Sequence, residues 1–181
     1  DVYKRQEMAS VLPQEAIDQS VFFKKNNVAY LDAPVSGGTV AANNKNLAIM
    51  VGGEDDVYKE AIKIFEPLGK SVLVGPCGAG QLAKLANQAI VGITIGAVAE
   101  AVLLLERGGV NVDSVREALS GGFADSAILQ QHGKRMSDRN FEAGGSIKTQ
   151  LKDMQNIQYT AQMFGVELPM VDKVTDRYLA C

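Results

Sequence analysis

The 181-residue chain has no tryptophan, one histidine (His132) and two cysteines, Cys77 and Cys181, far apart in sequence. A single imidazole excludes a metal site built on several histidines and leaves a Ser-His-Asp triad only that residue to use. Two cysteines are too few for a disulfide framework or a thiolate cluster, so a reducing compartment, the cytoplasm, is the default expectation. Proline is scarce, 5 against 18 glycines, which fits tight turns and close packing better than an extended linker. Positive charge is not in excess either: 18 Lys+Arg against 21 Asp+Glu leave a net charge of −3. No basic field exists to hold a nucleic acid or an anionic membrane, and neither is expected as a partner. The longest apolar stretch, Leu82 to Leu105, is broken by Lys84, Asn87, Gln88, Thr94 and Glu100. It reads as a core helix and not as a membrane span.

What is present is ordinary globular composition, 46% apolar and 22% charged, enough to bury a real core. Both ends read as cut. Asp1–Gln6 lacks periodicity and resembles an artefactual stretch outside the expected fold, no signal peptide is read, and the helical pattern after Pro169 stops without a cap.

Strand and helix alternate first. Pro13 opens an amphipathic helix to about residue 26, Val28–Asp32 is a strand, and Pro34–Gly38 a loop. Leu47–Val51 is a second strand, Glu54 to Leu68 a helix with acids in its first turn, and Lys70–Val74 a third strand. Beyond Gly80 only helical spacing remains. One long apolar helix ends near Gly108-Gly109, and others are expected at 112–119, 128–136, 147–164 and from 171. The fold class is therefore α/β followed by all-α, with three strands, residues 7–77 and 78–181 as the two domains and a hinge near 76–80. Gly92 and Gly96 leave room on the long helix for another helix, from this chain or from a second subunit.

Gly78-Ala-Gly80 before that helix is only half a dinucleotide fingerprint. The third glycine and the later acidic residue are absent, so these glycines read as the turn into the helix. Lys84 is more telling, since Leu or Ala would be easier to bury there; Asn87 and Gln88 follow one turn on, and the three make a polar patch able to meet a small polar ligand. The competing plain reading is a lysine reaching out to solvent. Ser36-Gly37-Gly38 offers a hydroxyl and open backbone N–H groups to a carboxylate or phosphate, or is simply a turn. Gly121-Gly-Phe-Ala124 joins two helices and reads as a flexible connection with a buried Phe123. His132 reads as a packing or surface residue, no nearby nucleophile calling for a base.

Four ordered segments carry a family resemblance: Leu31-Asp-Ala-Pro-Val-Ser-Gly-Gly38, Ile49-Met-Val-Gly-Gly53, Gly78-Ala-Gly-Gln-Leu-Ala-Lys-Leu-Ala-Asn-Gln88, and Lys152-Asp153. Together they resemble the β-hydroxyacid dehydrogenase family over residues 7–181. Gly121–Ala124, Ile128-Leu129 and His132-Gly133 look most like its branch acting on tartronate semialdehyde, with 3-hydroxyisobutyrate as the nearest alternative substrate. The resemblance implies the C-terminal part of a Rossmann-like domain, a long interdomain helix and a helical C-terminal domain, with NAD or NADP as cofactor, an active site between domains and a homo-oligomer. It implies Lys84 as the catalytic proton donor, Ser36, Gly37 and Gly38 as the carboxylate-binding turn, and Ser10 and Lys152 as cofactor contacts. The family's substrate-facing amide falls on Asn87 or Gln88, and both stay open. The glycine-rich fingerprint for the pyrophosphate is not in this chain, so the chain alone is expected to be inactive. An ammonium of ordinary pKa near 10.4 is a sluggish acid, and confinement is expected to lower it. A dimerising module without catalysis is the alternative from another class.

Overall fold

The computed structural model describes residues 3–142 and 144–181, so Asp1, Val2 and Ala143 lie outside the described residues. Two compact units divide between Asn87 and Gln88, partway along one helix.

The first unit is a mixed sheet flanked by helices. Its strands are β1 (Lys4–Glu7), β2 (Ala29–Asp32), β3 (Val35–Ser36), β4 (Leu47–Gly53) and β5 (Gly69–Gly75). Its helices are α1 (Pro13–Lys25), α2 (Gly38–Asn43), α3 (Asp55–Phe65) and the first turns of α4 (Ala79–Arg107). Five strands replace the three expected. β1 falls in the segment expected to stand outside the fold. It reads Lys-Arg-Gln-Glu, with no apolar alternation, and is held by a parallel backbone ladder from Lys4↔Ala29 to Glu7↔Asp32. Periodicity reports side-chain burial, so a strand tied in by its backbone escapes it. β2 and β3 keep one unbroken antiparallel register along β4, from Leu31↔Gly53 to Ser36↔Ala48. Pro34, lacking an N–H, interrupts the arm while its carbonyl accepts Met50 N at 3.0 Å. β5 joins β4 in parallel.

The apolar faces close over Leu31, Ala33, Ile49, Val51, Ala61 and Phe65. α1 starts at Pro13 with Glu15 Oε2 accepting Leu12 N at 2.8 Å, half of a capping exchange. α3 carries Asp55 and Asp56 in its first turn, where the helix dipole favours them.

The second unit is helical: the rest of α4, α5 (Val112–Leu119), a π-turn (Leu129–Gly133) leading into α6 (Lys134–Ser137), α7 (Ile147–Phe164) and α8 (Pro169–Leu179). Asn111 and Ser146 cap α5 and α7 through Ser114 N and Thr149 N, and Gly165 ends α7 in the left-handed region at φ 66°. The single helix expected at 128–136 thus opens with a wide turn. Arg116 meets it, bonding Leu129 O at 3.3 Å and Gln130 O at 2.9 Å.

Two further expectations change. Phe123 is wholly exposed, not buried; its loop is braced by Asp125, which accepts Gly121 N at 2.8 Å. That N–H and the Gln130 amide hold the Asp125 carboxyl below the usual carboxylate range. The small face of α4 is filled by this chain's own helices and not by a second subunit: a Cβ on Gly92 would lie 2.8 Å from Met154 Sδ, and one on Gly96 3.5 Å from Val174. α4 remains long and apolar enough to cross a membrane by length and composition alone, and only 17% of its apolar window is buried.

Candidate active site

The first unit converges on the N-terminus of α4. Asp32, the last residue of β2, is fully buried, and its carboxylate accepts Gly78 N and Gln81 N, each at 2.8 Å. The first N–H groups of a helix lack intrahelical partners, and here a carboxylate 46 residues upstream satisfies two of them. The approach is so close that only glycine fits. A Cβ on Gly80 would stand 2.5 Å from Met50 O and 2.7 Å from Asp32 O. Gly78 adopts φ +89°, so the pair does turn the chain into the helix.

Gln81 is also fully buried. Its Oε1 accepts Val11 N at 3.0 Å and its Nε2 donates to Ala9 O at 2.8 Å, so it grips the backbone on both sides of Ser10. Lys84 comes three residues later on the same helix. At 9% exposure it is a buried lysine, which the plain reading of a solvent-seeking chain does not describe. Asn87 is half-buried, the last residue of this unit.

Ser36 ends β3, with its backbone in register with Ala48. Gly37 turns the chain at φ +129°, where a Cβ would strike the Ala41 Cβ, and Gly38 follows at φ +63° with no atom within 4 Å of an added Cβ. Both conformations favour glycine, and the second leaves its surroundings open to a bound group.

In the second unit Asp153 is the buried charge. Gln88 Nε2 donates to its Oδ2 at 2.7 Å and to Gln150 Oε1 at 3.2 Å. Lys152 Nζ lies 2.9 Å from Asp153 Oδ1, an ion pair without hydrogen-bond alignment. The structure thus joins Gln88 and Lys152 through Asp153, and links Ser10 through Gln81 to the helix that bears Lys84. His132, half-buried on the π-turn, has its imidazole pKa pushed down, by burial first and by Arg135 second. Among the described residues no cluster of His, Cys, Asp and Glu could hold a metal.

Asp32 and Gln81 went unassigned in sequence because their partners lie 46 to 72 residues away. The one local signal is that each is polar in an otherwise apolar setting.

Residues 78–181 match a family profile described as NAD-binding of NADP-dependent 3-hydroxyisobutyrate dehydrogenase, and residues 6–77 one described as the NAD binding domain of 6-phosphogluconate dehydrogenase. The chain belongs to the 3-hydroxyisobutyrate dehydrogenase-like β-hydroxyacid dehydrogenase family. It is 43% identical over 153 residues to a 2-hydroxy-3-oxopropionate reductase of Escherichia coli (strain K12), 84% of this chain and 52% of that protein. It is 33% identical over 166 residues to a probable 3-hydroxyisobutyrate dehydrogenase-like 1 of Arabidopsis thaliana, 92% of this chain and 49% of that protein. A solved Mycobacterium tuberculosis 3-hydroxyisobutyrate dehydrogenase with L-serine shares the fold at TM-score 0.87 and 25% identity, over 98% of this chain and 64% of that one. A Salmonella typhimurium 3-hydroxyisobutyrate dehydrogenase matches in fold at TM-score 0.89 and 21% identity, over 98% of this chain and 63% of that one. The chain spans about half the length of the curated relatives it matches.

Proposed function

We propose that this chain supplies the lysine-bearing part of an NAD- or NADP-dependent β-hydroxyacid dehydrogenase that reduces tartronate semialdehyde to D-glycerate. The observation that carries the reading is Lys84, a buried lysine on the turn of α4 that follows Gln81. Reducing an aldehyde requires a proton at oxygen, and Lys84 gives it, taking it back when the hydroxyacid is oxidised. Ser36, Gly37 and Gly38 hold the substrate carboxylate, which fixes the face of the carbonyl that reacts. Gln88 directs its amide nitrogen to Asp153 and Gln150, and Asn87 or Gln88 is the amide that orients the carbonyl.

Ser10 and Lys152 are the residues that would hold the cofactor. Ser10 suits the task because the backbone on both sides of it is pinned, so its hydroxyl is presented from a fixed strap. When bound, a nicotinamide supplies the hydride. The functional boundary is proposed at 77/78, the whole protein as a cytoplasmic homo-oligomer. The oligomer reading rests on exposed Ile90, Leu103 and Leu104 of α4, the Gly92 face being already filled.

The 43% relative supports tartronate semialdehyde; the 3-hydroxyisobutyrate dehydrogenase profile and structures favour a methyl-bearing substrate as second reading. A site that hydrogen-bonds a substrate hydroxyl rejects a methyl strongly, because its polar groups are left unpaired. In a full-length protein containing this chain, kcat/KM is expected to favour tartronate semialdehyde over the semialdehyde of 3-hydroxyisobutyrate by at least about a hundredfold. Equal efficiency, or preference for the methyl compound, overturns the substrate while leaving the family intact. Absence of turnover on both, with either cofactor, would leave the non-catalytic module standing.

A further inference from the structure

A buried glutamine at the start of an apolar helix is a poor core filler, since leucine or methionine would fill the same space without an amide to satisfy. Gln81 engages both ends of its amide on one object: the segment Ala9–Val11. The carbonyl of Ala9 and the N–H of Val11 face one side, as the groups flanking a residue do in an extended strand, and a single primary amide answers both. A carboxylate only accepts, a leucine does neither, and asparagine is one methylene short. The clamp has a fixed base, because the backbone N–H of Gln81 is held by Asp32 Oδ2 at 2.8 Å. Glu7 and Glu15 tie the strap's ends by accepting Ala9 N at 3.0 Å and Leu12 N at 2.8 Å.

We propose that Gln81 is a positioning residue whose amide sets the place of Ser10 relative to Lys84, one helical turn further along α4. The inference rests on the reading of Ser10 and Lys84 given under the proposed function. It adds that both are referred to one rigid origin, the Asp32-anchored first turn of α4, so that cofactor and proton donor keep a fixed spacing.

The experiment uses a full-length protein containing this chain, with Gln81→Leu, Gln81→Glu, Ser10→Ala and the double variant Ser10→Ala/Gln81→Leu, followed by kcat and cofactor KM across pH. Gln81→Leu is expected to lower kcat about tenfold to a hundredfold, the scale of a small misplacement at a reacting centre. The double variant should lose no more than the more impaired of the two single variants, because without the Ser10 hydroxyl the clamp has nothing left to place. A buried carboxylic acid at position 81, when protonated, can donate and accept as the amide does, and burial favours that form. The deficit of Gln81→Glu should therefore close as pH falls, while that of Gln81→Leu stays constant. Losses that multiply in the double variant, a pH-indifferent Gln81→Glu deficit, or normal kinetics for Gln81→Leu beside a defective Ser10→Ala overturn the clamp alone. A silent Ser10→Ala beside a defective Gln81→Leu overturns the Ser10 reading and the clamp's action through it. If Gln81→Leu does not fold, the pH profile of Gln81→Glu decides by itself.

Discussion

The two units bury polar side chains by different means. In the first, Asp32 and Gln81 reach across 46 to 72 residues of sequence, and each long reach tethers one backbone segment to another. In the second, Thr160 and Thr175 bond carbonyls one turn back in their own helices, Asn156 O at 2.8 Å and Val171 O at 2.7 Å. There the long reach belongs to Asp153, which Gln88 meets from 65 residues away. A polar group bonded within its own helix adds little to the fold's specification. One that closes a long loop is satisfied only if the whole arrangement around it is right. The candidate chemistry gathers where the long reaches are.

The largest effect should come from removing the buried lysine that follows the first unit's network on α4. Lys84→Ala in a full-length protein is expected to lower kcat by roughly two to four orders of magnitude, the scale of losing a general acid, with little change in cofactor affinity. Steady-state kinetics with a separate cofactor titration checks it. Near-normal turnover would remove Lys84 from the chemistry and leave the buried network of the first unit as scaffold only.

A stability measurement breaks the comparison more directly. Asp32→Ala leaves two buried N–H groups, those of Gly78 and Gln81, without an acceptor, and should cost about 2–5 kcal/mol on the scale of unsatisfied buried donors. Thr160→Val, which removes a hydroxyl whose acceptor already has its helical partner, should cost under about 1 kcal/mol. Urea melts of the two variants read the difference. Equal losses would mean that polar burial in the two units is energetically alike, and the contrast drawn above would fail.

That contrast also explains what could be read from sequence. The second unit's helices follow 3.6-residue periodicity and cap chemistry, both local, so α5 and α7 appear with boundaries matching those expected from the sequence. Short apolar runs exposed β2, β4 and β5 for the same reason. β1 escaped because its Lys-Arg-Gln-Glu sequence carries no apolar face, and β3 because two residues have no period. Lys84 stood out as a charge in an apolar helix. Asp32 and Gln81 sit inside the motifs that carry the family resemblance, yet nothing within a few residues of either reveals its bonds. The π-turn at Leu129 was hidden likewise, since Arg116 meets its carbonyls from α5.

The smallest effect concerns that π-turn and the one imidazole of the second unit, His132. Burial, and secondarily the Arg135 guanidinium, hold His132 below its ordinary pKa in the folded chain. The unfolded chain therefore binds the proton more readily. Above the ordinary imidazole value, about 6.5, both states are neutral and the residue adds no pH dependence. As pH falls through that value the unfolded state is protonated first and stability declines, levelling off once the folded-state pKa is also passed. His132→Gln removes the titration, so the variant should gain on the wild type between about pH 8 and about pH 5 in paired urea melts, by a margin kept small by the residue's partial exposure. A gain for the wild type on acidification would instead mean that His132 acquires a favourable anionic contact, and the folded-state shift would have the opposite sign.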